Sequence, residues 1–475
     1  MRLREEFTYG KISEEILSRL KEICGSEFVF FDEEKKAKYS SDETEQLVFY
    51  PDVVVLPSGT NEISLILKLC TEHKIACTPR GAGTGLSGGA LPIYGGVSLS
   101  LERLNKIISI DEKNLQATVE PGVINQIFQD ELAKRNLFYP PDPASKGSCF
   151  LGGNIAESSG GPKCVKYGTT KDYVLNLEVV LPNGEIIETG ANTLKNSTGY
   201  NLTQLIVGSE GTLGIVTKIQ FRLLPLPKYD LLMLVPFQSL DEACSAVSEI
   251  FRAGFIPSAL ELMERDALEW VSSYVESSAV KLEENIHAHL LIEVDGNDTD
   301  LLMKELEGIS VLLDKFSIGE ILFAETSAQK NELWKLRRKI NEAVKANAIS
   351  KEQDTVVPRA ELPALVKGVK EIGKRYGFQS VCYGHAGDGN LHIRIIKGIL
   401  SDEQWDGSFI KEAIAEIFRL CKQLGGTISG EHGIGLIQQE YMPLVFSEEA
   451  LQLQRSIKKV FDPQLILNPG KMFYY

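Results

Sequence analysis

Val381–Ile395 reads VCYGHAGDGNLHIRI, two runs of β-forming residues that meet at Asp388-Gly389, a strong two-residue hairpin signal. With those two residues as the loop, His385 faces His392 directly, and the two Cβ atoms sit roughly 5 Å apart on one face of the sheet. That spacing suits two imidazoles sharing one metal ion. Along a single continuous strand, the same separation puts the rings on opposite faces. Two strand histidines that merely flank a tight turn fit the same letters, so the pair alone leaves both readings open.

Working outward, a chain of 475 residues exceeds one core of usual size, and two or three domains are expected. A composition that is 43% hydrophobic and 24% charged is that of a folded globular protein. Net charge is -15 and no basic cluster stands out, which argues against a nucleic-acid surface. The start, MRLREEFTYGKISEEIL, lacks an apolar signal core, and runs such as Leu231–Phe237 are too short to span a bilayer. The expectation is a cytoplasmic chain that meets the inner membrane face only peripherally, through a partner. Cys24, Cys70, Cys77, Cys149, Cys164, Cys244, Cys382 and Cys421 form no C-x-x-C pair, so neither an iron–sulfur cluster nor a thioredoxin-like site is expected.

Toward the N-terminus, Ile12–Cys24 and Glu62–His73 carry apolar residues at helical spacing, and Val53–Leu56 reads as a short buried strand. Pro79–Gly96, PRGAGTGLSGGALPIYGG, is the stretch richest in glycine. Its Gly83–Gly88 letters fit G-x-G-x-x-G, but that dinucleotide fingerprint opens a helix, whereas Val97–Leu101 reads as strand. What remains is a loop of small residues whose bare amides can approach a diphosphate, or a glycine-rich turn with no ligand. Phe138 onward, FYPPDPASKGSCFLGGNIAESSGGPKC, has almost no hydrophobic period, and structureless loops of this length inside a domain are usually functional. Val174–Glu188 reads as a hairpin around Pro182-Asn183-Gly184.

PRGAGTGLSGG, YPPDPAS, GGNIAESSGG, YGTTKDYVL, VGSEGTLGIVT, GHAGDGNLH, SGEHGIG and NPGK follow in this order across almost the whole chain. Together they resemble the FAD-linked dehydrogenases of 2-hydroxy acids, the D-lactate dehydrogenase and glycolate oxidase GlcD-type group of the vanillyl-alcohol oxidase superfamily. The resemblance implies an α+β fold: a two-subdomain PCMH-type FAD-binding domain over 1–227, an antiparallel-sheet-and-helix cap (substrate) domain over 228–420, and a segment, 421–475, that returns to the FAD domain. It implies that Pro79, Arg80, Gly81, Ala82, Gly83, Thr84, Gly85 and Gly88 wrap the diphosphate. Around the rest of FAD it places Pro141, Asp142, Ser145, Gly152, Gly153, Asn154, Ala156, Gly160, Glu210, Gly211, Gly214, Ile215, Val216 and Asn468. No histidine lies between His73 and His287, so the flavin is expected to be noncovalent.

Past Lys228, strand candidates at Leu231–Val235, His289–Val294, Glu320–Ala324 and Gln379–Tyr383 alternate with amphipathic stretches at Asp241–Ala253, Asp300–Lys315, Ala328–Ala346 and Glu361–Arg375. That alternation predicts an antiparallel sheet with helices on one face. The resemblance makes Glu431 the third ligand beside His385 and His392 for a divalent metal (zinc, iron or manganese). It gives His432 the role of general base, which a near-neutral imidazole suits, and Arg337 that of carboxylate binder, which a guanidinium fork suits. Relatives acting on 2-hydroxyglutarate carry a Thr four residues after this arginine and a Lys before an Asp-containing strand, where this chain has Asn341 and, before Asp354, Glu352. The expected substrate is therefore a small D-2-hydroxy acid, D-lactate or glycolate, with D-2-hydroxyglutarate as the alternative. Expected partners are an electron-acceptor subunit, an electron-transfer flavoprotein or a quinone, with a homodimer as one assembly; the chain could also be a flavin subunit active only in a complex. A metal-dependent hydrolase using His385, His392, Glu431 and His432 is the rival of another class. His287 and His289 alternate along one strand, but no third ligand lies near them in sequence.

Overall fold

The computed structural model describes residues 8–44, 47–277, 279–280 and 282–474. Its described residues form two compact units, one from Met1–Gly160, Thr169–Leu226 and Glu431–Tyr475, the other from Gly161–Gly168 and Pro227–Gly430. Two boundaries differ from expectation. The return to the first unit begins at Glu431, not at 421. Helix Ser408–Gln423 buries Ile410, Ile414, Ile417 and Phe418, and Thr427 exchanges backbone hydrogen bonds with Val356, so this stretch belongs to the second unit. Gly161–Gly168 also belongs there, because Lys163 and Lys166 reach two buried acids, Glu293 and Asp295, with Tyr167 donating to Asp295 at 2.7 Å. Buried carboxylates must be paired, and nothing local in sequence announces such distant counter-ions.

In the first unit, strands Val53–Val55, Val97–Ser100 and Cys77–Arg80 run parallel, with Val29–Phe30 antiparallel at the edge. Helices Glu14–Cys24 and Thr60–Glu72 bury Ile16, Leu20, Ile63, Ile66 and Leu67 in the core that these strands share, as their apolar spacing predicts. A second, antiparallel sheet has the order Ile107–Asp111, Gln116–Val119, Ile215–Arg222, Val174–Val180, Ile186–Glu188. The stretch read as loop contains a helix, Leu151–Glu157. Two glycines hide it from a propensity reading, and tertiary contact requires one of them: a Cβ on Gly152 would sit 2.5 Å from Pro121 Cβ. The amides of Leu151 and Gly152 donate to Val123 and Pro121.

Seven antiparallel strands form the sheet of the second unit, in the order Leu322–Ala324, Tyr229–Phe237, Ala288–Gly296, Ala259–Glu264, Gln379–His385, Asn390–Ile396, Ser350–Val356. Ala259–Glu264 and Ser350–Val356 were not expected as strands; the second, SKEQDTV, is too polar to read as one and is held by its pairing with Asn390–Ile396. Helices cover both faces, not one. Ser327–Asn347 and Arg265–Tyr274 pack with Leu234, Met263, Leu291, Val381 and Tyr383. On the alternate face, Lys370 of helix Leu362–Tyr376 donates to Glu264 at 2.6 Å. Both faces of the strands are therefore apolar where they are covered, and the polar residues that survive on the first face mark a site.

His289 lies on that first face, opposite Met263, while His287 precedes the strand and is exposed. Burial, with Arg265 adding to it, pushes the His289 imidazole down to about 4 from 6.5. The folded state therefore holds this ring neutral; its stability contribution is present above about pH 6.5 and is lost as pH falls toward 4. We expect about 3 kcal/mol of this loss to disappear in His289→Gln, read as a flatter dependence of the urea midpoint on pH over that window.

Candidate functional site

The hairpin around Asp388 has a four-residue loop, Ala386–Gly389, so His392 faces Tyr383 and His385 faces Asn390. The expected two-residue loop was one register step too tight. Gly389 (φ +88°) closes the turn against Val357, whose carbonyl leaves no room for a Cβ, and Gly387 packs on Val165 and Leu260. His385 and His392 are consequently diagonal neighbours on one face, with ring centroids 5.6 Å apart and nearly perpendicular planes.

Carboxylates back both rings. His385 Nδ1 lies 2.9 Å from each oxygen of Glu261, and Glu261 Oε2 lies 2.7 Å from Arg337 Nη2. His392 Nδ1 lies 3.2 Å from Glu352 Oε1, close but out of line for a hydrogen bond, and 4.0 Å from Asp354. Arg394 pairs with Glu352 at 2.5 Å and donates to Asn341. Asp354 accepts from Asn390 Nδ2 (2.7 Å), Ser429 Oγ (2.9 Å) and the Gly430 amide (2.7 Å). An imidazole with Nδ1 on a buried acid, as His385 has, is the arrangement by which carboxylates orient metal-binding histidines. Three carboxylates, Glu261, Glu352 and Asp354, thus stand on this face beside Arg337 and Arg394. Glu261 and Arg394 went unnoticed as site residues in the sequence, and Glu352 was read only as a departure from relatives acting on 2-hydroxyglutarate; the available signal was an acid between two leucines in ALELME.

Glycine loops in the first unit meet the requirements of a diphosphate. From Gly81 to Leu86 no backbone amide donates to any group among the described residues. Gly85 and Gly153 have nothing within 4 Å of where a Cβ would project, and a Cβ on Gly81 would lie 3.7 Å from the Gly153 backbone. Bare amides beside open space form a cradle for an anion. At Gly83 (φ +75°) a side chain would strike Arg80, whose Nη1 is buried without a hydrogen bond. Thr84 and Ala82 lie within the same loop, and Gly88 abuts Leu436.

Other candidates hold this loop in place. Asn468 donates to the carbonyls of Gly89 (3.0 Å) and Glu210 (2.7 Å), and Gly211 rests on Pro79. The Glu210 amide donates to Ala156. Gly214 packs on Val179, and Ile215 and Val216 pair with Val180 and Val179. Asn154 donates to Asn125, which donates to the carbonyl of Pro141; Asp142 pairs with Lys146; the Ser145 carbonyl caps Cys149; Gly160 is buried. The Glu210 carboxylate accepts from the amides of Ile434 and Gly435 at 2.7 Å each, and burial still pushes it up to about 7. Burial, with Glu210 and Asp42 adding to it, raises Glu157 well above its usual range. Burial pushes Lys471 down to about 7.

Residues 51–190 match the FAD binding domain and 226–472 the C-terminal domain of FAD linked oxidases. The chain belongs to the FAD-linked oxidases. Among these flavoproteins it is 39% identical to the glycolate oxidase subunit GlcD of Bacillus subtilis, over 97% of each chain, and 35% identical to the D-lactate dehydrogenase of Anaerostipes hadrus, over 99% of each. Its fold is also that of p-cresol methylhydroxylase, with a TM-score of 0.78 over 96% of each chain at 19% identity. Membership sets the hydrolase reading aside, and the glycine loop lies within the residues that match the FAD binding domain. No helix among the described residues is long and apolar enough to cross a membrane.

Because the protein leaves space at Gly153, Gly153→Val should fold with an unchanged thermal midpoint yet bind FAD more than about tenfold more weakly. Flavin absorbance retained after gel filtration checks it.

Proposed function

We propose that this FAD-linked oxidase converts a small D-2-hydroxy acid, D-lactate or glycolate, to its 2-oxo acid and delivers the electrons to an acceptor other than oxygen. One observation carries the reading: two imidazoles and an arginine held by buried carboxylates on one sheet face. The names of the two relatives support the substrate class. When bound, FAD takes up a hydride, and a divalent ion acidifies a hydroxyl it touches, as it takes water from a pKa of about 15.7 to roughly 7.

His385 and His392 would hold the ion through Nε2, with Glu431 as the third ligand; Gly430, one residue before it, is pinned to Asp354. A donor set of two nitrogens and an oxygen suits zinc, iron or manganese. His432 accepts the proton of the substrate hydroxyl, a task matched to imidazole near neutral pH. Arg337 takes the substrate carboxylate with the part of its fork that Glu261 leaves over. The Arg394 cation is already committed to Glu352 and Asn341, which disfavours a second carboxylate and so 2-hydroxyglutarate. Electrons leave to a partner subunit, an electron-transfer flavoprotein or a quinone; that the Bacillus subtilis relative is named as a subunit supports the first.

Anaerobic titration of the holoprotein with D- and L-2-hydroxy acids tests this. D-Lactate or glycolate should bleach the flavin, L-lactate should not, and a chelator should stop the bleaching. Bleaching by 2-hydroxyglutarate in preference to both small acids would refute the substrate assignment. His432→Ala should keep its FAD and reduce it about a hundredfold more slowly or worse; undiminished reduction removes the base role.

A further inference from the structure

Glu261 sits in the middle of strand Ala259–Glu264, its side chain 1% exposed, with apolar neighbours in sequence on both sides. A carboxylate in such a place is costly unless its charge is balanced and its lone pairs are used. Two candidate working residues reach it. His385 Nδ1 is equidistant from its two oxygens at 2.9 Å, and Arg337 Nη2 is 2.7 Å from one of them. Arg337 also lies over the ring of Tyr383, which directly opposes His392. The partner acid of His392 is held less firmly: Glu352 has a 12% exposed side chain, is out of line with the ring, and is shared with Arg394.

We propose that Glu261 is a positioning residue that couples metal capture to substrate capture. Resting on the reading of His385 as a ligand and Arg337 as carboxylate binder, this assigns one buried acid to both. By accepting from Nδ1–H it keeps the proton off Nε2, so His385 presents its lone pair outward before any ion arrives. As the counter-charge 2.7 Å from Arg337 Nη2 it anchors the guanidinium beside the site without taking up its hydrogen bonds, so the fork stands ready for a carboxylate. A gain in order at one group is a gain at the other, because both hang on the same carboxylate.

Nitrogen-15 spectra of histidine-labelled, metal-free protein report the His385 tautomer directly, and competition with a chelator reports zinc affinity. Wild type should carry the proton on Nδ1. In Glu261→Leu that signature should be lost, zinc should bind about 10–100-fold more weakly, and KM for the small hydroxy acid should rise. Glu261→Gln keeps an acceptor for Nδ1–H and drops the charge, so it should retain the tautomer and most of the zinc affinity while still raising KM through Arg337. If Glu261→Leu does not fold, the Gln variant carries the test through that split between zinc affinity and KM. A folded Leu variant with the wild-type tautomer and zinc affinity overturns the proposal and leaves the metal reading standing. A wild type with the expected tautomer that binds no divalent ion sinks the metal reading and, with it, the coupling.

Discussion

A charge placed where water cannot reach must be answered by another charge, and the second unit is organised by that constraint. Glu261, Glu352 and Asp354 lie on the sheet face that also buries Met263, Leu291, Val381 and Tyr383. Beside them stand two arginines and two imidazoles, carried by two adjacent strands and one helix. Replacing such a network with hydrocarbon would cost the fold little and could stabilise it. Stability therefore does not explain the network; what the acids do on this face is orient the imidazole and guanidinium groups beside them.

The first unit meets the opposite demand, a cavity edge with no side chains in it. Backbone that donates to nothing among the described residues is braced by groups further back: Asn468 ties Gly89 to Glu210, and Glu210 ties Ala156 to Ile434 and Gly435. The cradle is thus rigid without being filled, so little ordering cost falls on the binding step. Burial raises Glu157 and Glu210 and lowers Lys471, all pushed toward their uncharged forms, which is what sparsely solvated surroundings impose.

Much of this was legible in the residues. The histidine pair, the glycine loop without a following helix and the amphipathic helices such as Leu240–Arg252 are local patterns, and local patterns survive folding. Register was less legible, because Gly387 and Gly389 allow either a two- or a four-residue loop and only the contacts with Val357, Val165 and Leu260 decide between them. Hidden altogether was Glu261, which meets its histidine across 124 positions of chain. Leu151–Glu157 escaped for a related reason: glycine lowers its propensity, and the proline that demands Gly152 stands well before it in the chain, at Pro121. Properties that belong to one segment could be read, and those that belong to a meeting of segments could not.

The excursion Gly161–Gly168 leaves the first unit, anchors Lys163, Lys166 and Tyr167 on acids of a strand far ahead of it, and goes back. Together with the closing return at Glu431, it threads the two units through one another in sequence. Neither can be excised, traded between relatives or produced alone as an uninterrupted cassette, and a ribosome must release nearly the entire polypeptide before the first unit has all of its parts.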